Sequence, residues 1–490
     1  MKISAQLVIT VLSKSMTSIS IFVLSVILSR YFTKDDYGTY LHVQLIANLA
    51  TWAFLLGIPH GIYYFLPKIN KKRKYVLTVI AIISSIAVLV SGLVFSTVDS
   101  LSELLSNPRI ESLGYVLLFM VLLKIPVNIF EPLMISVGRV KEFASVELIM
   151  NVSFFLAVVI PVSIGSDLID ILWWIVGMYC LQSIVVFYYA ITIAMKFGKY
   201  KEDGDEIGMA EQLKYTFPIG LSMNAFELSH YIDKIVVSNQ TSAEDYAVYA
   251  RGALEIPVIG IIANTLDNLL MPKFVEAYKN NDIAGIMKSW HATIRMMAAF
   301  IYPCCLFLII SAPLLIPAIF SEKYSGSIII FQIYTLSLLS RLSTFNVIMR
   351  AIGKTKIILW VALSSIVINL IFTYLFMMWW GLIGAPIATV LTLLILRSSY
   401  LFAITHYFNI SLKDVFPWPS ILKSLVISCL ASVPILLLMQ YSFDVWLHLL
   451  LLFIVYSVSY LGLLRLIPSL TASDKDGIRD FLHIKIRWIV

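Results

Sequence analysis

Apolar stretches of about twenty residues follow one another along nearly the whole chain, parted only by short charged turns. A helix of that length crosses the roughly 30 Å hydrocarbon core of a bilayer. Runs bounded by charges, Gly and Pro predict helices near 8–30, 39–66, 75–97, 112–137, 144–163, 169–195, 213–238, 246–272, 289–320, 325–349, 357–378, 382–406, 424–440 and 445–464. About fourteen transmembrane helices leave no stretch for a folded aqueous domain, so an all-α integral membrane protein is expected. Composition agrees, with 60% hydrophobic and 13% charged residues in 490, against about 25% charged in a soluble domain. A soluble enzyme is excluded.

The positive charges orient the spans. In the predicted arrangement 25 of the 36 Lys and Arg fall in loops on the side of the termini, and four, Arg30, Lys34, Arg109 and Lys323, fall opposite. Cytoplasmic loops retain positive charge, so both termini are expected in the cytoplasm. The segment after Lys2 contains Lys14, runs into Arg30 and lacks a small-residue cleavage site, and so reads as a retained first span. Cys180, Cys304, Cys305 and Cys429 lie in apolar runs without metal-ligand spacing, so neither a disulfide framework nor a metal site is expected. No cofactor or nucleotide motif appears; Gly353-Lys354-Thr355 lacks the preceding glycine-rich loop and reads as a turn.

The chain repeats itself. Ser29 to Tyr40 aligns without a gap on Ser238 to Tyr249, at an offset of 209, with Ser29, Asp36, Tyr37 and Tyr40 identical in the second copy and Thr33/Ser242 and Gly38/Ala247 close. Leu66-Pro67-Lys68 answers Met271-Pro272-Lys273, and Gly138-Arg139-Val140-Lys141 answers Gly353-Lys354-Thr355-Lys356. Two parallel six-helix repeats follow, with two extra C-terminal helices. The expected organisation is a lobe at 1–198, a cytoplasmic linker at 199–212, a second lobe at 213–408, two further helices within 409–466 and a cytoplasmic tail at 467–490. Parallel repeats suit two lobes rocking about an axis along the membrane normal.

Arg30-Tyr31-Phe32, Asp36-Tyr37-Gly38-Thr39-Tyr40, Gly57-Ile58-Pro59 and Tyr64-Phe65-Leu66-Pro67 open the first half. Pro218-Ile219-Gly220, Ile232-Asp233-Lys234, Tyr249-Ala250-Arg251 and Gly381-Leu382-Ile383-Gly384-Ala385-Pro386 follow in order in the second. This series resembles the polysaccharide flippases, the Wzx-type branch of the multidrug/oligosaccharidyl-lipid/polysaccharide exporter superfamily. Pro386 and Ala247 depart from the family's usual residues. The resemblance implies a V-shaped, MATE-like pair of lobes in the bacterial inner membrane. It also implies a non-enzymatic flippase for a polyprenyl-diphosphate-linked oligosaccharide, its tail in membrane lipid, supplying a downstream polymerase for O-antigen, capsule or exopolysaccharide. Nucleic acid is not an expected partner.

An ionised side chain at the bilayer centre costs about 2.5–3.5 kcal/mol on insertion scales, so such groups face a cavity or a partner. Seven basic and six acidic groups fall within the predicted spans. Lys124 and Arg341 are the leading candidates for an anion, followed by Lys234 and Arg251, with Lys14 and Arg295 at the cytoplasmic entrance. Glu227, His230 and Lys234 recur at spacings of three and four and share a helical face, which makes Glu227 and His230 candidates for proton coupling; Glu227 as a mere counter-charge to Lys234 is the competing reading. Arg251 and Glu255, at i and i+4, are either a structural bridge or part of the ligand and coupling site. Two rival functions are an export antiporter for drugs or organic cations and a membrane glycan polymerase or ligase. The small basic excess disfavours the first, and the lack of a long external loop and the repeat disfavour the second.

Overall fold

The computed structural model describes residues 3–467 apart from 56, 198–208, 255–256 and 344; the side chains before residue 16 and at several positions between 213 and 269 also lie outside the description. Most of the expected linker and nearly all of the expected tail therefore fall outside the described residues. Every regular element described is helical, and each of the fourteen predicted segments holds helix. Among the described residues, nine helical runs are long and apolar enough to cross a membrane. One of them, Thr355–Phe408, comprises the helices Thr355–Trp380 and Gly384–Phe408. A tenth candidate is the pair Lys34–Phe54 and Ile58–Phe65, bent by 43°. The count of fourteen spans thus stays an expectation at the first, seventh and eighth segments. Leu89 is 72% exposed and Phe402 75%, an apolar exterior that water would not tolerate but lipid requires.

The repeat has a local structural cause. Thr33 accepts the Asp36 backbone N–H at 3.1 Å, while its own hydroxyl donates to the Asp36 carboxylate. Ser242 repeats both bonds with Asp245. Each hydroxyl satisfies one of the donors a helix start leaves open. The later pair agrees equally well. Gly138 and Gly353 hold φ of 75° and 74°, and in each turn the next residue's N–H reaches back five residues, Arg139 to Met134 and Lys354 to Met349, both at 2.9 Å. That is the helix stop for which glycine is suited.

Four segments predicted as continuous are interrupted. The second bends at Gly57, whose φ of 69° precedes Ile58-Pro59. The fourth turns at Asn128 after Pro126, and the Asn128 amide donates to the Lys124 carbonyl at 3.1 Å, replacing a lost helical bond. The eighth stops at Gly252 and resumes at Pro257. The tenth passes through a 3-10 stretch, Leu336–Leu342, to an extended Ser343 before helix Phe345–Ala351. Trp290 Nε1 donates to the Ser343 hydroxyl at 2.7 Å, so a neighbouring helix fixes that break.

Contacts divide the chain into compact units Met1–Ala247 and Val248–Val490. Helix Met209–Gln240 packs inside the first, with Tyr215 stacked on Tyr64 at 4.2 Å and Tyr231 edge-on to Trp52 at 4.9 Å. Gly57 and Gly61 allow that approach, because a Cβ on either would strike Thr216 at 2.4 and 2.5 Å. In the second unit the last two segments, Trp418–Leu438 and Val445–Leu466, form one apolar cluster centred on Ile427, Ile435, Leu452 and Tyr456. Phe307 and Ile310, from helix Ile283–Phe320, pack against it.

Candidate functional site

Within the first unit, Lys124 extends from helix Gly114–Val127 to Asn48 on helix Lys34–Phe54, donating to its side-chain oxygen, and lies 5.5 Å from the Tyr179 ring centroid. The kink at Pro126 and Asn128 follows immediately. Glu131, on the short helix that follows this kink, acts electrostatically on His60 and Tyr63 of the short helix Ile58–Phe65. A carboxylate, an imidazole and a phenol thus gather beside the bend in the second segment, a grouping the sequence did not reveal because it joins two broken segments.

Lys234, six residues before the end of helix Met209–Gln240, places its ammonium 4.7 Å from the Tyr231 ring centroid. Its neighbour Asp233 is buried and accepts the Lys234 backbone N–H at 2.8 Å. Helix Met209–Gln240 is continuous, so the three-and-four spacing of Glu227, His230 and Lys234 holds on its backbone. The side chains of Glu227, His230 and Lys14 lie outside the described residues.

In the second unit Arg251 is buried, with its guanidinium 5.1 Å from the Phe320 ring centroid. Its helix, Ala243–Gly252, ends one residue later, so the turn expected to join Arg251 to Glu255 is not helical; Glu255 itself lies outside the described residues. A Cβ on Gly252 would approach Ile330 to 2.5 Å, so the helix ends on a residue whose close packing requires glycine. Arg341 sits at the end of the 3-10 stretch, two residues before extended Ser343, and Arg295 is half-buried on helix Ile283–Phe320. The structure therefore places Lys124 and Lys234 in one unit and Arg251, Arg295 and Arg341 in the other.

A polar clasp missed by the sequence reading closes one end of the first unit. Arg109 Nη1 bridges Asp35 at 2.6 Å and Asp36 at 2.8 Å at the start of helix Lys34–Phe54. Asn107 donates to Thr39 at 3.0 Å and meets Nδ1 of buried His42, which stacks on Tyr246 at 4.7 Å. Asn239 donates to the Leu104 carbonyl at 2.7 Å. The segment 98–112 thus ties the start of one long helix to the end of another. Its only sequence signal was the pairing of a lone basic residue with two adjacent acids.

Membrane-length helices, a doubled set of helix starts and stops, and cations carried within the spans define a multi-pass membrane protein. Solved structures of that class share the fold. The lipid II flippase MurJ in an inward closed conformation gives a TM-score of 0.72 at 17% identity, over 98% of this chain and 100% of that one. An inward-facing multidrug resistance MATE family transporter of the MOP superfamily gives 0.64 at 12% identity, over 80% and 94%. A MOP superfamily transporter from Pyrococcus furiosus gives 0.53 at 12%, over 81% and 94%. No curated protein matches the chain. The polysaccharide biosynthesis protein family matches residues 4–277, more than half of the sequence, and the chain belongs to that family.

Proposed function

We propose that the protein moves a polyprenyl-diphosphate-linked oligosaccharide repeat unit from the cytoplasmic to the outer leaflet of the bacterial inner membrane, with both termini cytoplasmic. The repeat unit would then feed a polymerase that builds O-antigen, capsule or exopolysaccharide. The observation that carries this reading is the joint match: a polysaccharide biosynthesis family over residues 4–277, and a lipid-flippase fold over 98% of the chain where the drug transporter fold covers 80%. A sugar-diphosphate head cannot enter hydrocarbon, so transport requires buried polar and basic groups along its route. Lys124, Lys234, Arg251 and Arg341 are the proposed contacts for the head, with Lys14 and Arg295 at the entrance, in lobes at 1–198 and 213–408. The role is passage, not bond making.

A deletion strain should accumulate labelled lipid-linked repeat units that periodate reaches only after the inner leaflet is opened. Restoring the gene should expose them from outside. Accumulation of no lipid-linked saccharide would overturn the reading.

Glu227, with His230 one turn away and Glu255 as a further acid, is the proposed coupling group. If Glu227 carries a proton, Glu227→Gln should abolish gradient-driven transport, and adding Lys234→Gln should not restore it. Recovery in the double variant would reduce Glu227 to a counter-charge for Lys234.

A further inference from the structure

Where helix Met209–Gln240 docks within the first unit, three polar side chains are buried together with nothing to bond. Tyr75 is 5% exposed, Gln212 4% and Thr216 0%. Among the described residues, the Tyr75 hydroxyl, the Gln212 amide nitrogen and the Thr216 hydroxyl have no hydrogen-bond partner. Gln212 and Thr216 stand at i and i+4, on one face of their helix. Tyr75 belongs to the first turn of helix Lys72–Ser96, and the Gln212 amide approaches its hydroxyl without the alignment a hydrogen bond requires. Thr216 is packed against the neighbouring short helix, since a Cβ on Gly61 would lie 2.5 Å from its methyl group. Phe65 links the two sides, its ring centroid 6.2 Å from that of Tyr75 and 5.1 Å from that of Tyr215.

Aromatic rings frame this cluster. Tyr215, beside Thr216 in the chain, stacks on Tyr64, and both are more than a third exposed, so the stack reaches the edge of the seam. Lys68, the first residue of the basic 68–74 turn, lies over the Tyr64 ring at 3.5 Å from its centroid. The unpaired groups themselves are a phenol, an amide and a hydroxyl, none of them charged at neutral pH. Leaving three such groups without partners in one seam is costly. A phosphate is a poor answer to that cost, because it is held best by cations. A sugar ring is a good one: its hydroxyls both donate and accept, and the C–H groups on its faces lie flat against aromatic rings. Few polar groups set among apolar and aromatic surface are the usual make-up of a small-molecule site.

We propose that Tyr75, Gln212 and Thr216, framed by Tyr64 and Tyr215, form a subsite for one uncharged sugar ring at the end of the first unit that carries the basic 68–74 turn. The inference rests on the proposed function for the origin of that sugar, and its five residues are additions to the basic contacts proposed for the diphosphate. Thr216 packs on Gly61 too closely for a ring to enter the seam as it stands. The sugar therefore binds when helix Met209–Gln240 draws back, and the unpaired groups favour that step by making the packed seam costly. Groups that were structural, bonded to buried water or to one another, would do the reverse and hold the seam shut.

The test is saturation-transfer NMR on the purified full-length protein in detergent, with the methyl glycosides of glucose, N-acetylglucosamine and rhamnose as probes and glycerol as a polyol without a ring. At least one glycoside should receive saturation, and glycerol none. The combined variant Tyr75→Phe, Gln212→Met and Thr216→Val keeps the three shapes and removes the three unpaired groups. It should cut transfer to the glycoside at least fivefold, while its melting temperature holds or rises, because apolar atoms replace polar ones that had no partner. Tyr215→Leu, which removes the stacked ring, should weaken the signal as well. Transfer to none of the glycosides, equal transfer to glycerol, or an unchanged signal in the combined variant overturns the subsite. So does a lowered melting temperature or failure of that variant to fold, which would assign the three groups to holding the seam. Neither phosphate, lipid nor transport enters the measurement. Glycoside binding can therefore fail while the deletion strain accumulates lipid-linked saccharide, and can succeed where that strain accumulates none.

Discussion

Gly38→Val is expected to leave little folded protein in the membrane, and Gly38→Ala to lower stability by about 1–3 kcal/mol, the usual range for forcing atoms into a packed contact. A Cβ at Gly38 would lie 1.9 Å from the Ala243 carbonyl oxygen and 2.5 Å from its carbon. Both are backbone atoms at the start of a capped helix, so neither can rotate aside. Gly92→Ala is the matched control, since a Cβ there meets nothing within 4 Å and alanine is better than mid-helix glycine by roughly 0.5–1 kcal/mol. Thermal unfolding of the two alanine variants in one detergent measures the contrast. Equal melting temperatures would dispose of the close approach.

Lys124→Met should separate folding from function. Replacing a half-buried ammonium with an apolar side chain of similar length removes its desolvation cost, so the melting temperature should hold or rise. If Lys124 meets the diphosphate, the same change loses a charged hydrogen bond worth about 1.5–3 kcal/mol, and delivery of the saccharide should fall roughly 10–100-fold. Asn48→Ala should act in the opposite sense on stability, because it leaves the Lys124 ammonium without the acceptor it uses. Pulse-labelled polysaccharide at matched membrane abundance, set beside unfolding curves, reads both quantities. Normal delivery by Lys124→Met would remove Lys124 from the route.

What the sequence revealed and what it hid divide along the reach of each interaction. Thr33 with Asp36, Ser242 with Asp245, and the turns at Gly138 and Gly353 close within a few residues, so a gapless alignment was enough to find them. The bend at Gly57-Ile58-Pro59 and the kink after Pro126 also carried local signals, although the predicted spans ran through both. The break at Ser343 had none: Leu342-Ser343 contains neither glycine nor proline, and the bond that holds it comes from Trp290, 53 residues away. Asn48 was invisible for the same reason, lying 76 residues from Lys124.

The matched helix starts and stops also bear on how the chain is made. Each closes a loop of only four to six residues, and local turns form in microseconds or less, whereas synthesis proceeds at about 5–20 residues per second. Thr33–Asp36 and the Gly138 turn can therefore be complete before any residue of the second half has been added. The same punctuation then recurs 209 residues later at Ser242–Asp245 and 215 residues later at Gly353. A nascent chain marked this way receives its instructions for entering and leaving the bilayer from its own most recent residues, twice in the same order, and does not wait for distant partners such as Trp290 that settle its interior afterwards.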